Sequence, residues 1–253
     1  MAKNIWSREE TIVAFNVYCK IPFKDSSKTH PMVIKYAKII GRSPSALNMK
    51  VGNLGRLDPE LRKRGIVGLS NGSKTEEMVW REFHGNWDDL AFESEKIIAN
   101  FQNKPLANHF YEEILPVGSD KLRLVKTRIN QSFFRSSILS AYNSTCCITG
   151  LIIPELLIAS HIIPWRSNIS RTNPRNGLCL NSLHDKAFDR GLLSINDHYQ
   201  VKISKFLKDK SKENATDFFN KFDNQKITMP DKFRPERVYL EEHFSHFLKN
   251  EYN

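Results

Sequence analysis

The chain has 253 residues, 40% of them hydrophobic and 26% charged, which is enough to bury the core of one large or two small globular domains. No apolar run approaches the roughly 20 residues of a membrane span, and the opening Met1 to Ser7 lacks a secretory hydrophobic region, so no membrane-spanning helix is predicted and a cytoplasmic location is expected. The four cysteines, Cys19, Cys146, Cys147 and Cys179, are scattered without a Cys-x-x-Cys pair, which argues against a disulfide framework and predicts no structural zinc.

In chain order, Ser7 with Glu10 resembles a capping box, and the apolar residues Ile12, Val13, Phe15 and Val17 predict a first helix ending near Lys20. Pro31 opens a second helix through Ile40, closed by Gly41. Ser43 and Pro44 then read as N-cap and first position of a third, with Leu47, Val51 and Leu54 on one face. The short connection Gly41 to Ser43 suggests a helix-turn-helix, in which Ser45, Asn48, Lys50, Asn53 and Arg56 would face the major groove of DNA. A small helical bundle used for packing or dimerisation is the alternative.

Ser73 to Ala99 is expected to add one or two helices, and Asn103 to Asp120, with Pro105, Pro116 and Gly118, is the best linker candidate. Arg128 to Tyr142 reads as a further helix. The runs Thr145 to Leu151 and Leu156 to Ile162, separated by Pro154, predict a hairpin. Asn181 to Arg190 predicts a short helix stopped by Gly191, and Tyr199 to Ile203 a strand. Lys202 to Lys212 reads as a mobile lysine-rich loop, and Tyr239 to Leu248 as a packed amphipathic helix whose His243 and His246 are not a metal site. Charge is uneven: Lys121, Arg123, Lys126, Arg128, Arg135, Arg166, Arg171 and Arg175 face Glu155 as the sole acid between residues 121 and 180, out of a net +10. A basic stretch of this kind suits a phosphate backbone.

The residues with the most chemistry lie between Ala159 and Gly191. Hydrolysing a phosphodiester needs a base for water, a cation for the charge growing on phosphate, and a scaffold aligning them. His161 suits the base, because imidazole titrates near neutrality. Asn176 lies fifteen positions later and would orient His161 through its amide or by pinning the loop. Asp185 and Asp189 are four apart, so on a helix both carboxylates share a face and point at one hard cation.

This ordered set, with Cys146 to Gly150 reading Cys-Cys-Ile-Thr-Gly ahead of Ser160-His161, resembles the HNH or ββα-metal nucleases, and in particular a restriction-type subgroup with serine before the histidine. The resemblance implies a ribbon carrying the base on its second strand and a helix supplying metal ligands. Carried over by position, His161 matches the general base, Asn176 the orienting asparagine, and Asp185 and Asp189 the helix ligands. Ser160 departs from the acid or histidine usual before the base and would be a weak ligand at most. His184 is a ligand, a phosphate contact or, preferably, a surface residue, while Arg166, Arg171 and Arg175 are candidates to steady the phosphate. Trp-Ser-Arg-Glu-Glu from Trp6 and Gly-Arg-Ser-Pro-Ser from Gly41 also resemble segments preceding such modules.

The expectation is therefore an α+β protein: a helical DNA-recognition or dimerisation domain over 1–102, a linker over 103–120, and an HNH nuclease domain over 121–253. It would cut double-stranded DNA with Mg²⁺, or Mn²⁺ in its place, as a homodimer. A DNA-binding regulator with an inert remnant of the motif, and a nuclease acting on structured nucleic acid or RNA, are the alternatives.

Overall fold

The computed structural model describes residues 5–66, 72–106, 119–164, 172–210 and 217–251. The chain divides into two compact units, Met1–Ala141 and Tyr142–Asn253.

The first unit is helical and built around α1 (Arg8–Lys20), with α2 (Pro31–Ile39), α3 (Pro44–Gly55), the short α4 (Pro59–Lys63), α5 (Lys74–Phe83), α6 (Trp87–Phe101) and α7 (Ser119–Ala141). The start signals read from sequence hold. Ser7 and Glu10 bond each other's backbone N–H groups as a capping box, and Ser43 Oγ accepts from Ala46 N–H with Pro44 in the first helical position. Gly41 turns the chain between α2 and α3 at φ 67°, a left-handed conformation that costs glycine little. Every residue of α1 from Glu10 to Cys19 is buried, because α2, α3, α5, α6 and α7 all pack on it. A helix covered all round cannot be amphipathic, which is why α1 shows little one-sidedness in its sequence.

α7 moves the expected domain boundary. It lies along α1 and α6, burying Val125, Ile129, Phe133, Phe134 and Ile138, and therefore belongs to the first unit. Its helix also starts about two turns before the Arg128 expected from sequence. Most of the expected linker, residues 107–118, lies outside the described residues.

The second unit carries two small antiparallel ribbons. The first pairs β1 (Leu157–His161) with β2 (Gly177–Asn181), in a register that sets Ser160 opposite Leu178 and His161 opposite Gly177. α8 (Ser182–Asp189) follows without a loop, since Asn181 ends β2 and caps the helix by accepting from His184 N–H at 2.9 Å. The second ribbon pairs β3 (Leu193–Ile195) with β4 (Val201–Ile203). α9 (Lys205–Lys210) and α10 (Arg237–Glu251) follow, and α10 packs on β3.

Two sequence expectations are corrected here. The hairpin does not join 145–151 to 156–162: the first run folds on itself, with Cys146 N–H donating to Leu151 O and Gly150 N–H to Cys146 O at 2.8 and 2.9 Å. It meets the ribbon through Cys147 N–H on Cys179 O and through Asn181 at the end of β2 but pairs with neither strand as a ladder, so the histidine strand is the first strand of the ribbon and not the second. The lysine-rich stretch is also no loop from its start, because Lys202 lies in β4 and Lys205–Lys210 is helical.

Candidate active site

The ribbon ends where the chemistry begins. His161 is the last residue of β1, and Asn176 stands immediately before its partner Gly177. Asn176 is fully buried. Its Oδ1 accepts from Ile163 N–H at 2.8 Å, its Nδ2 donates to Ile163 O at 3.0 Å, and its own carbonyl accepts from Ile162 N–H at 2.9 Å. Three bonds thus fix the backbone just beyond His161. Of the two ways the sequence offered for Asn176 to act on His161, these bonds are of the chain-pinning kind.

α8 brings its carboxylates to the same place. Asp185 is half-buried and Asp189, one turn later, is exposed. Burial raises the pKa of the Asp185 carboxyl, the nearby Ser160 hydroxyl lowers it, and the negative charge of Asp189 raises it again. The two carboxylates are close enough to repel, which is the electrostatic condition that a cation between them relieves. Ser160 is 3% exposed, and its Oγ makes no hydrogen bond at normal distance although it lies near enough to favour ionised Asp185. A buried hydroxyl oxygen without a full partner is costly and is relieved by a ligand.

Among the described residues, no three His, Cys, Asp or Glu side chains converge as a closed metal cage. The donor set is two carboxylates with a hydroxyl beside one of them. That oxygen-rich, open set fits a hard cation that keeps several waters and takes further oxygens from a phosphate.

Ser160, His161, Asp185 and Asp189 line one open cleft of about 1040 Å³, and α10 supplies another wall with His243 and His246. Sequence reasoning missed this wall. The available signal was the three-residue spacing of the two histidines, which equally fits an ordinary amphipathic helix. His243 stacks on Phe188 with centroids 3.7 Å apart and planes 3° apart, and the Ser194 hydroxyl hydrogen-bonds its Nδ1 at 2.8 Å. Burial pushes its pKa down, against the nearby Phe188 backbone, which favours the charged ring, and neighbouring His246 lowers it further, to about 4.

His184 is not the surface residue expected. It is 2% exposed, set edge-on to Phe219 and Phe222, and donates through Nε2 to Phe218 O at 2.8 Å. Its Nδ1 accepts from Asn181 Nδ2, which also reaches Thr149 Oγ1, while Asn181 N–H donates to Cys146 Sγ at 3.3 Å. Burial raises the Cys146 thiol, but the adjoining His184 ring, Thr149 and the backbone of Thr149 and Ile148 bring it down to about 7. Cys146, Thr149, Asn181 and His184 thus knot the 146–150 turn to the start of α8. Both ring nitrogens of His184 are engaged there and neither serves the cleft.

The basic and polar candidates divide. Arg166 and Arg171 lie outside the described residues. Arg175 is ion-paired with Glu236 at 3.0 Å, and its carbonyl accepts from Glu236 N–H, so it anchors the approach to α10. On α3, Lys50 is buried and paired with Glu76, Asn53 also donates to Glu76, and Asn48 accepts from Ser26. Lys50 is therefore an interior residue and not a DNA contact: a helix start at Ser73 places Glu76 against it. Arg56 lies 3.7 Å from Glu77, leaving Ser45 as the exposed member of that set.

A histidine closing a two-stranded ribbon, an asparagine locking the chain beyond it, and paired carboxylates on the next helix are groups of the kinds that phosphodiester hydrolysis requires. In the comparison with protein families, residues 146–196 match the family model described as HNH endonuclease. That segment runs from the Cys146 turn through β1, β2, α8 and β3. No curated protein matches the chain.

Proposed function

We propose that the protein is a metal-dependent DNA endonuclease of restriction type, with a ββα-metal catalytic unit made by β1, β2 and α8. The observation that carries the reading is the meeting of His161, Asp185 and Asp189 in one cleft of the segment that matches the nuclease family. Neutral His161 would take a proton from the attacking water, with its backbone held by the Asn176 clamp. Asp185 and Asp189, with Ser160 beside them, would hold Mg²⁺, or Mn²⁺ in its place. The ion, when bound, supplies Lewis-acid stabilisation of charge on the scissile phosphate and leaving oxygen. The open cleft admits a phosphate backbone without reading bases, so sequence or modification specificity has to come from elsewhere on the protein. Two active sites are needed to cut both strands, which makes a homodimer the expected acting form.

Cleavage of plasmid and phage DNA, modified and unmodified, and of structured RNA, by wild type and His161→Ala in Mg²⁺, Mn²⁺ or EDTA tests the reading. Discrete DNA fragments that vanish with the substitution and with chelator are expected. Salt-sensitive DNA binding with no cleavage of any substrate would favour an inert DNA-binding protein, and RNA-selective cleavage a different nuclease.

A further inference from the structure

Helix α10 lies outside the segment that matches the nuclease family, yet it contributes Glu242, His243, His246 and Phe247 to the cleft. His243 is the best connected of these. Its ring lies flat on Phe188, which is 1% exposed and sits between Asp185 and Asp189 on α8. Its Nδ1 is tied to Ser194 of β3, itself completely buried.

An imidazole is an unusual choice for such a place. Leucine or phenylalanine would fill the space without the cost of desolvating two ring nitrogens. What an apolar side chain cannot do is fix the ring's rotation and reach two elements at once. Stacked on Phe188 and held by its polar link to β3, the imidazole sets where Phe188 stands. Because Asp189 is the next residue and Asp185 lies one turn back, a displaced Phe188 displaces both carboxylates. Metal and catalytic constellations tolerate only about 0.5 Å of such slack.

We propose that His243 is a positioning residue of the nuclease site, holding the α8 carboxylates in the spacing that accepts a divalent cation. The inference rests on the reading of Asp185 and Asp189 as metal ligands. It extends the functional unit to the C-terminal helix, beyond residues 146–196.

The test is Mn²⁺ binding to the full chain without nucleic acid, followed by electron paramagnetic resonance or calorimetry, alongside thermal melting. His243→Ala is expected to weaken Mn²⁺ binding about tenfold. His243→Phe keeps the stack but loses the polar link to Ser194; it should fold with a similar melting temperature and still bind Mn²⁺ several-fold more weakly than wild type. A merely structural residue would give a His243→Phe protein with wild-type Mn²⁺ affinity, and that result, within twofold, overturns the proposal even if the alanine variant fails to fold. Asp185→Asn serves as the control for loss of the site. Wild type that takes up no Mn²⁺ would sink both this inference and the metal reading beneath it. Wild type that binds normally while His243→Phe is unaffected would sink this inference alone.

Discussion

The role proposed for Asn176 is to hold the backbone just beyond His161. Its amide satisfies both the N–H and the C=O of Ile163 in a fully buried position, so truncation leaves two backbone groups unpaired away from water. Asn176→Ala is expected to cost about 1–3 kcal/mol for each group left unsatisfied, read by urea unfolding, and to lower cleavage more than that loss of folded protein accounts for. Asn176→Asp should be worse, because an acceptor then faces the Ile163 carbonyl. Unchanged activity in a folded Asn176→Ala would mean that the backbone clamp does not serve catalysis. His243 makes a pH prediction at the same scale. Its pKa is about 4 in the folded chain against 6.5 for an ordinary histidine, so the unfolded chain binds the proton first. Its contribution to stability is complete above about pH 6.5 and is lost as pH falls towards 4. The loss should reach roughly 3 kcal/mol at most, and His243→Phe should flatten that part of the stability–pH curve.

At the scale of elements, what was legible depended on whether the signal was local. Caps and breakers are local chemistry, and Ser7, Pro31, Gly41, Ser43 and Gly191 marked real helix ends. The four-residue step from Asp185 to Asp189 was legible for the same reason. Strand partners were not: 145–151 and 177–181 are both apolar, and only the turn closed by Thr149 and Gly150 removes the first from contention. Helix faces failed where a polar residue was matched by another far along the chain. Lys50 looked like a groove contact because Glu76 lies twenty-six residues away in sequence. The correction is testable: Lys50→Met should leave Glu76 as an uncompensated buried charge, costing roughly 3–5 kcal/mol by denaturant unfolding. Nucleic-acid affinity and its salt dependence should stay unchanged in the folded fraction. A fully stable Lys50→Met that binds DNA more weakly would restore the recognition-helix reading of α3.

At the scale of the whole molecule, the net charge of +10 is distributed over both units. The basic stretch that looked continuous in sequence is divided by the boundary at Ala141, with Lys121 to Arg135 on α7 and Arg175 committed to Glu236. Arg123, Arg128 and Arg135 are exposed on α7, so a phosphate backbone attracted by this charge can meet a unit that carries none of the candidate catalytic residues. Binding and chemistry then become separable by substitution. Replacing these three arginines by glutamine should weaken duplex binding to a similar degree on every sequence, and flatten the log K against log salt slope by about 0.9 for each phosphate no longer neutralised. The cleavage rate at saturating DNA should be unaffected, because His161, Asp185 and Asp189 all lie in the other unit. His161→Ala should do the reverse, abolishing cleavage while leaving the salt slope intact. If the arginine variant instead lost its saturated rate while binding normally, α7 would belong to the chemistry, and the division of labour drawn from the two units would be wrong.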